Sequence, residues 1–163
     1  MWRHLVNFIL MWLPPSRCFA SRALLLRSCG VEVGSNVKVC GRGWIYGRGS
    51  LRIGDGSWLS PQVIFYTHPG APIRVGDACD IGPGVQFVTG GHEIGPAQRR
   101  AGSGFARAIS IGRGTWIGTG ARILGGVNVG EGCIIAAGAV VVGNIPANSL
   151  AAGVPAIVKR ALP

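Results

Sequence analysis

An aliphatic side chain recurs at every sixth position over residues 111–141, and this period restricts the fold more than any other feature of the chain. The series consists of Ile111, Ile117, Ile123, Val129, Ile135 and Val141. Four residues after its first five members stand the small or β-branched side chains Thr115, Ala121, Val127, Cys133 and Ala139. A period of six fits neither the 3.6-residue repeat of an α-helix nor the two-residue alternation of a strand. It fits a triangular coil with sides of about five or six residues, with the aliphatic residue inside and glycine at the turns.

Three earlier segments share this pattern, so the period extends over most of the chain. They contain Val33, Val39 and Ile45; Ile53, Leu59 and Phe65; and Val75, Ile81 and Phe87. Stacked coils of this kind form parallel ladders around one continuous apolar core. The composition agrees, because 48% of the residues are hydrophobic and 28 are glycine, without the Gly-X-Y repeat of collagen. The period alone does not fix the hand of the coil, and parallel crossovers are normally right-handed.

Residues 1–30 lack the repeat and predict two short amphipathic helices. The apolar stretch 5–13, which Pro14-Pro15 ends, is far shorter than the ~20 residues that span a bilayer. A second helix is predicted over 16–29, which contains Arg17, Arg22 and Arg27. Such a basic segment either lies on an anionic membrane surface or caps the end of the coil. A secretory signal peptide is a further alternative.

The run that starts at residue 111, IGRGTWIGTGARILGGVNVGEGCIIAAGAVVVGNIPANSLAAGVPAIVKRAL, resembles the C-terminal half of the hexapeptide-repeat acyltransferases. The resemblance covers residues 31–160 and is greatest to the galactoside, maltose and polysaccharide O-acetyltransferases. It implies an all-β fold, with a left-handed parallel β-helix over 31–160 and an N-terminal helical segment over 1–30. It also implies transfer of an acetyl group from acetyl-coenzyme A (acetyl-CoA) and a homotrimer. The odd number of cysteines indicates free thiols, which predict a cytoplasmic location. Peripheral contact with the inner face of the membrane through the N-terminus is a further expectation.

The repeat stops between Phe87 and Ile111, and the glycine-rich segment 89–108 predicts a protruding loop. Binding and catalytic groups often lie on such excursions from a rigid scaffold. His92 stands at the base of this loop. An imidazole can take the proton of a hydroxyl that attacks a thioester, and can return it to the leaving thiolate. We therefore predict His92 as a general base, which the resemblance also implies; the alternative is a solvent-exposed loop histidine.

Other residues of the site are predicted less directly. Glu93 is expected to orient the imidazole or to bind the acceptor. Arg99 and Arg100 are expected to hold an anionic part of the acceptor or cofactor, or to be solvated, and the resemblance favours Arg99. Ser60 occupies the position at which the resembling sugar acetyltransferases carry a substrate-binding asparagine, and this departure leaves the acceptor open. His68, at a second break in the repeat, is predicted to lie in a surface turn, and a contact with the acceptor is the alternative.

The resemblance also implies that coenzyme A lies in a groove between the coils of neighbouring subunits. The small residues expected along its pantetheine arm are Gly118, Thr119, Gly120, Ala136 and Ala137. Trp116 is expected to pack against that arm or against a neighbouring subunit. The turn at Val154-Pro155 would contact adenine, and Lys159 or Arg160 would meet a phosphate. The alternative is that the small residues only satisfy the geometry of the coil.

These features predict an O-acetyltransferase that acts on a sugar hydroxyl in surface polysaccharide or lipopolysaccharide biosynthesis. A first alternative is an enzyme like serine O-acetyltransferase, although the long helical N-terminal domain typical of that class is missing. A second alternative is a non-catalytic β-helix that serves as a binding or assembly module.

Other classes of protein are disfavoured. A metal hydratase on this fold needs three suitably spaced histidines, and His4, His68 and His92 do not have that spacing, so no metal is expected. The five cysteines form no CxxC pair, and Cys79 and Cys133 occupy the small position of the repeat. The net charge of +10 is spread over scattered arginines, which argues against a nucleic-acid partner.

Overall fold

The computed structural model describes residues 1–163 as two helices followed by a parallel β-helix with three faces. The helices are α1 (Trp2–Trp12) and α2 (Phe19–Ser28). The first face contains β1 (Glu32–Val33), β4 (Leu51–Ile53), β7 (Ile73–Val75), β12 (Ile109–Ile111) and β15 (Asn128–Val129). The second contains β2 (Lys38–Val39), β5 (Trp58–Leu59), β8 (Asp80–Ile81), β13 (Trp116–Ile117), β16 (Ile134–Ile135), β18 (Ser149–Gly153) and β19 (Ala156–Ala161). The third contains β3 (Trp44–Tyr46), β6 (Ile64–Tyr66), β9 (Gln86–Val88), β14 (Arg122–Leu124) and β17 (Val140–Val141).

Equivalent residues of the repeat stack from coil to coil. Ile117, for example, pairs in parallel with Ile81 of the preceding coil and with Ile135 of the next. Every member of the C-terminal aliphatic series, and every small residue four positions later, is at most 2% exposed. The predicted coil and its core are therefore confirmed. Most strands span only two or three residues, fewer than expected, because the backbone has to turn at every corner.

At the corners one residue in every six adopts the left-handed backbone conformation. In the C-terminal coils these residues are Gly114, Gly120, Gly126, Gly132 and Gly138, with φ between +63° and +93°. Glycine reaches this region without the steric cost of a Cβ. The glycine that directly follows an aliphatic residue is required for a different reason. A Cβ on Gly118 would lie 2.6 Å from the backbone nitrogen of Ala137. Gly118 therefore permits the close approach of consecutive coils.

Polar side chains of the helices bind the open backbone of the first coil. The strand β3 is the edge of the third face, and Asn7 pairs with it as a further strand would. Its Nδ2 donates to the carbonyl of Ile45 at 2.9 Å, and its Oδ1 accepts from the Ile45 N–H at 3.2 Å. Arg3 donates to the carbonyls of Gly47 and Gly49 at 3.1 and 3.0 Å. The helices therefore cover a sheet edge that would otherwise be open to pairing.

Arg22 joins the two helices from a buried position. Arg22 is 1% exposed, and its guanidinium donates to the carbonyls of Leu10, Leu13 and Pro14 at 2.9–3.0 Å. These carbonyls lie at the C-terminal end of α1, where a cation is favourable. Burial lowers the pKa of the Arg22 guanidinium. Arg22 therefore helps the N-terminal segment to cap the end of the coil, one of the two roles expected for it.

The helix α1 presents apolar side chains to its surroundings. Its buried residues are Val6, Asn7 and Leu10, whereas Leu5, Phe8 and Trp12 are 51%, 57% and 82% exposed. A surface helix normally directs its apolar stripe toward the core and its polar residues outward. We call the surface formed by Leu5, Phe8 and Trp12 the outer face of α1. Neither helix is long and apolar enough to cross a membrane.

Candidate active site

The predicted protruding loop is a two-stranded hairpin that carries His92. Its strands, β10 (Gly90–Ile94) and β11 (Ala101–Ala106), pair antiparallel with His92 opposite Gly104. The hairpin follows Thr89, which is 1% exposed and donates its hydroxyl to the Tyr66 carbonyl at 2.8 Å. The ring of Phe105 packs across Gly91, where an added Cβ would lie 2.6 Å from it. This anchor and this cross-strand contact position His92 more firmly than an irregular loop would.

A backbone carbonyl fixes the tautomer of His92. The imidazole Nδ1 lies 3.1 Å from the carbonyl oxygen of Gly102. A carbonyl oxygen can only accept, so Nδ1 must carry the proton of this hydrogen bond. In the neutral ring Nε2 is then left with a lone pair, which is the form that a general base requires.

His92 lines an open cleft that it shares with a second histidine. This histidine cleft has a volume of about 500 Å³ and is lined by His68, Gly90, Gly91, His92, Gly104, Phe105 and Ala106. The surface turn predicted for His68 is present, since His68 is exposed and bridges to Ala71, but the turn belongs to the site. A contact with the acceptor was the second interpretation of His68 in the sequence, although the repeat contained a signal that favours it. His68 and Gly90 each come three residues after a phenylalanine, and Phe65 stacks on Phe87 at 4.9 Å, which places the two breaks at one corner.

The other predicted acceptor residues are spread over the surface. The Glu93 carboxylate lies 3.8 Å from the Arg107 guanidinium, and both side chains are more than half exposed; the group bonded to the His92 ring is the Gly102 carbonyl. Arg99 is exposed at the tip of the hairpin, where its N–H donates to the Pro96 carbonyl at 3.0 Å. Ser60 lies outside the histidine cleft.

Half of the predicted cofactor residues line a long groove on the second face. This coil groove has a volume of about 710 Å³. The predicted residues that line it are Trp116, Gly118, Thr119, Ala136 and Ala137, together with Ser60 from the acceptor set. Trp58, Asp80, Ile81, Gly82, Pro83, Ile134, Ile135 and Leu150 complete the lining. The small side chains leave the backbone of successive coils accessible along the groove.

The remaining predicted cofactor residues lie beside the groove or at its corners. Val154 and Pro155 form the exposed turn between β18 and β19, and Lys159 and Arg160 are exposed on β19. Arg160 pairs with Leu150, a lining residue of the groove, so the basic strand borders it. Gly120 is a corner glycine outside the lining. This arrangement suits a ligand with a slender arm and an anionic end.

The interior thiols are part of the core. Cys79 and Cys133 are at most 1% exposed, and burial raises the pKa of Cys79. No three His, Cys, Asp or Glu side chains come together as a group that could hold a metal ion.

The chain resembles known proteins in family pattern, sequence and structure. The family described as "Bacterial transferase hexapeptide (six repeats)" matches residues 108–143. WcaF of Escherichia coli, a protein named for colanic acid biosynthesis as an acetyltransferase, is 30% identical over 160 residues. The alignment covers 98% of this chain and 85% of WcaF. The chain belongs to the hexapeptide-repeat acetyltransferase family.

Other members of the family are similar over part or all of the chain. Nodulation protein L of Rhizobium leguminosarum bv. viciae is 57% identical over 89 residues, which are 55% of this chain and 47% of that protein. Nodulation protein L of Rhizobium meliloti is 49% identical over 89 residues, which are 55% of this chain and 49% of that protein. The chain thus spans about half the length of these relatives.

Solved structures of the family share the fold. A hexapeptide-repeat acetyltransferase of Vibrio cholerae, in complex with acetyl-CoA, has a TM-score of 0.87 and 29% identity over 99% of this chain and 86% of its own. A galactoside acetyltransferase in complex with coenzyme A has a TM-score of 0.85 and 27% identity over 99% and 79%. The β-helix is therefore the left-handed one expected from the sequence.

Proposed function

We propose that this protein transfers an acetyl group from acetyl-CoA to a hydroxyl of a sugar, with His92 as the general base. The observation that carries the proposal is the hydrogen bond from His92 Nδ1 to the Gly102 carbonyl, because it leaves the Nε2 lone pair available in an open cleft. Family membership and the acetyl-CoA bound by the Vibrio cholerae relative support the reaction class.

The reaction needs no covalent intermediate on the protein. His92 Nε2 removes the proton of the acceptor hydroxyl as its oxygen attacks the carbonyl carbon of the thioester. A carbon–oxygen ester bond forms, the carbon–sulfur bond breaks, and the sulfur leaves as a thiolate. The imidazolium then returns its proton to that thiolate. The products are the O-acetyl sugar and free coenzyme A.

The coil groove supplies the binding site for acetyl-CoA. Gly118, Ala136 and Ala137 add little side-chain bulk to its walls, so a pantetheine arm can reach the backbone. Lys159 and Arg160 on the neighbouring strand β19 offer two cations to the phosphates. The groove contains no nucleophilic side chain besides hydroxyls and one carboxylate, in keeping with a binding role.

The complete site forms between copies of the chain. Within one chain the histidine cleft and the coil groove share no lining residue. A homotrimer in which the groove of one copy lies against the histidine cleft of the next would unite them. Trp116, which is 54% exposed, and the half-buried Leu124 and Val140 supply apolar surface for such contacts. Light scattering tests this: the mass of a single chain would contradict the shared site.

The acceptor class is a sugar in surface polysaccharide or lipopolysaccharide biosynthesis. Support comes from the colanic acid name of WcaF, a relative that aligns over nearly the whole chain, and from the galactoside acetyltransferase of the same fold. Glu93 and Arg99, exposed on the hairpin, and Ser60, at the rim of the groove, are the side chains proposed to contact the rest of the acceptor.

We propose that the outer face of α1 contacts the cytoplasmic face of an anionic membrane. No acidic residue precedes Glu32, whereas three arginines besides the buried Arg22 do, so an anionic surface suits this segment better than a second copy of it. Trp2 and Trp12 stand at the ends of the helix, and tryptophan favours the lipid interface. Such a contact would place the enzyme beside a lipid-linked acceptor.

Vesicle sedimentation tests the membrane contact. The protein is expected to sediment with phosphatidylglycerol vesicles and not with phosphatidylcholine vesicles. The double variant Phe8→Ser, Trp12→Ser should lose this binding, whereas Val142→Ser, which alters an exposed apolar residue outside α1, should retain it. Equal sedimentation of the double variant and the native protein would refute the contact.

Thiol release from acetyl-CoA tests the enzyme itself. The native protein, His92→Ala and the control His4→Ala are compared with methyl galactoside, maltose, glucosamine and serine. Sugar-dependent release that falls about 10²–10⁴-fold in His92→Ala alone supports the proposal. Equal rates in His92→Ala would remove His92 from the mechanism, and release with serine alone would assign a serine O-acetyltransferase. Failure to release thiol or to bind coenzyme A would favour a non-catalytic module.

A further inference from the structure

The turn that carries His68 is held rigidly against the coil. It follows Thr67, whose hydroxyl donates to the Tyr46 carbonyl at 2.7 Å and accepts from the Gly49 N–H at 2.9 Å. The Ala71 N–H closes the turn on the His68 carbonyl at 3.0 Å. The His68 side chain therefore leaves a fixed backbone and lines the same cleft as His92.

The hydrogen bond at His68 selects the opposite tautomer to that of His92. The Gly70 N–H donates to His68 Nδ1 at 3.1 Å. A backbone N–H can only donate, so Nδ1 must present its lone pair, and the proton of the neutral ring resides on Nε2. His92 has the reverse arrangement, with the proton on Nδ1 and the lone pair on Nε2.

The two tautomers give His68 and His92 different roles in the same cleft. His68 has no free lone pair, since Nδ1 is occupied by Gly70 and Nε2 bears hydrogen, so it is unsuited to be the base. It is a fixed donor, and a donor recognises an oxygen. The cleft has a volume of about 500 Å³, and three of its lining residues are glycines, so side chains take up little of the space that a sugar ring would need.

We infer that His68 is a specificity-determining residue whose Nε2–H binds a second oxygen of the sugar acceptor while His92 deprotonates the reacting hydroxyl. This inference rests on the proposed acetyl transfer. It defines the acceptor as a molecule with at least two oxygens in fixed relation, a polyol or sugar rather than a simple alcohol. The second oxygen need not react, so its loss should weaken binding more than turnover.

The kinetic test compares native protein, His68→Ala and His68→Gln with the panel sugar that the native protein turns over fastest. A neutral hydrogen bond corresponds to a factor of about 2–13 in binding, so His68→Ala should raise the KM for the sugar by that factor, with kcat and the KM for acetyl-CoA nearly unchanged. His68→Gln should restore most of the loss, because its amide N–H reaches about as far as imidazole Nε2. Monodeoxy derivatives of the same sugar should include one on which native protein and His68→Ala behave alike.

The outcomes separate this inference from the function on which it rests. Native protein that releases no thiol with any sugar overturns the proposed function and the inference together. Active native protein with an unchanged sugar KM in His68→Ala overturns the inference alone, as does a fall in kcat that His68→Gln does not rescue. Nitrogen NMR of the imidazoles gives a readout without substrate: His68 should show the Nε2–H tautomer and His92 the Nδ1–H tautomer, and an Nδ1–H tautomer at His68 refutes the assignment.

Discussion

His92 and Gly102 are joined across the hairpin by a hydrogen bond of 3.1 Å from the imidazole Nδ1 to the backbone carbonyl oxygen. The group that orients the His92 ring is therefore a backbone carbonyl of β11. The carboxylate of the adjacent Glu93 lies near the Arg107 guanidinium instead. The position of the base depends on the register of the two strands. Substitutions at Gly91, His92 and Glu93 should therefore affect activity in different ways.

Glu93→Gln should retain the kcat of the native protein, because the carbonyl of Gly102 already orients the imidazole. His92→Gln should lower kcat by about 10²–10⁴-fold, since its amide is no base. Steady-state rates of acetyl transfer with saturating sugar distinguish the two. A large loss of kcat in Glu93→Gln would show that the carboxylate orients the ring in the working enzyme, whereas a change confined to the KM of the sugar would fit its proposed contact with the acceptor.

Gly91→Ala should lower activity through the hairpin while the fold remains stable. The new Cβ would lie 2.6 Å from the far end of the Phe105 ring, so this ring must move from its position in the lining of the histidine cleft. A misplacement of about 1 Å can cost roughly 10²-fold in rate. Gly143→Ala is the matched control, because no atom lies within 4 Å of a Cβ at that position. Both variants should unfold at the same urea concentration as the native protein, and full activity in Gly91→Ala would show that the position of the Phe105 ring does not matter.

Lys159 and Arg160 should matter for acetyl-CoA and not for a substrate without phosphates. The double variant Lys159→Ala, Arg160→Ala should raise the KM for acetyl-CoA about tenfold, a modest effect because both cations are exposed. With acetyl-pantetheine, which has no phosphate, the double variant and the native protein should behave alike. An equal loss with both thioesters would indicate that the strand β19 has been disturbed rather than that a phosphate contact has been removed.

The six-residue period predicted what depends on the coil alone. It identified the buried series that contains Ile111 and Ile117, because packing inside a narrow triangle allows few alternatives. The small residues of the coil groove were expected from the family resemblance instead. It did not predict that His68 and His92 share a cleft, since that depends on which corner each break occupies. It also did not predict the apolar outer face of α1. Asn7 faces inward because it pairs with the unpaired backbone of a sheet edge, and the periodicity of the helix does not reveal such an edge.

Arg22→Met should destabilise the protein markedly. The substitution keeps an apolar stem of similar length but leaves the carbonyls of Leu10 and Leu13 without this donor. The Pro14 carbonyl loses one of its two donors and keeps the Arg17 N–H. Loss of three hydrogen bonds to a charged group, one of them buried, should lower the free energy of unfolding by about 3 kcal/mol. Arg17→Met, which removes an exposed guanidinium from the same segment, should change it by less than about 0.5 kcal/mol. Urea denaturation followed by circular dichroism measures both, and equal midpoints would mean that Arg22 contributes no net stability.

The cysteines should differ in their response to alkaline pH. Burial raises the pKa of Cys79 above its ordinary value of 9.0, and burial likewise raises that of Cys40. As the pH rises past 9.0, these thiols ionise in the unfolded chain before they do so in the folded one. The free energy of unfolding is therefore unaffected below that pH and falls as the pH climbs toward the folded-state pKa values.

Alkylation with iodoacetamide at pH 8 reports the same difference residue by residue. Cys18 is exposed and should be modified first, because access and thiolate formation control the rate. Cys79, fully buried in a coil, should react only in denaturant. The variant Cys18→Ser should therefore lose the rapid reaction while its denaturant-dependent modification remains. Rapid labelling of Cys79 in the native protein would show that the coils open locally, and would contradict the continuous core that the six-residue period predicts.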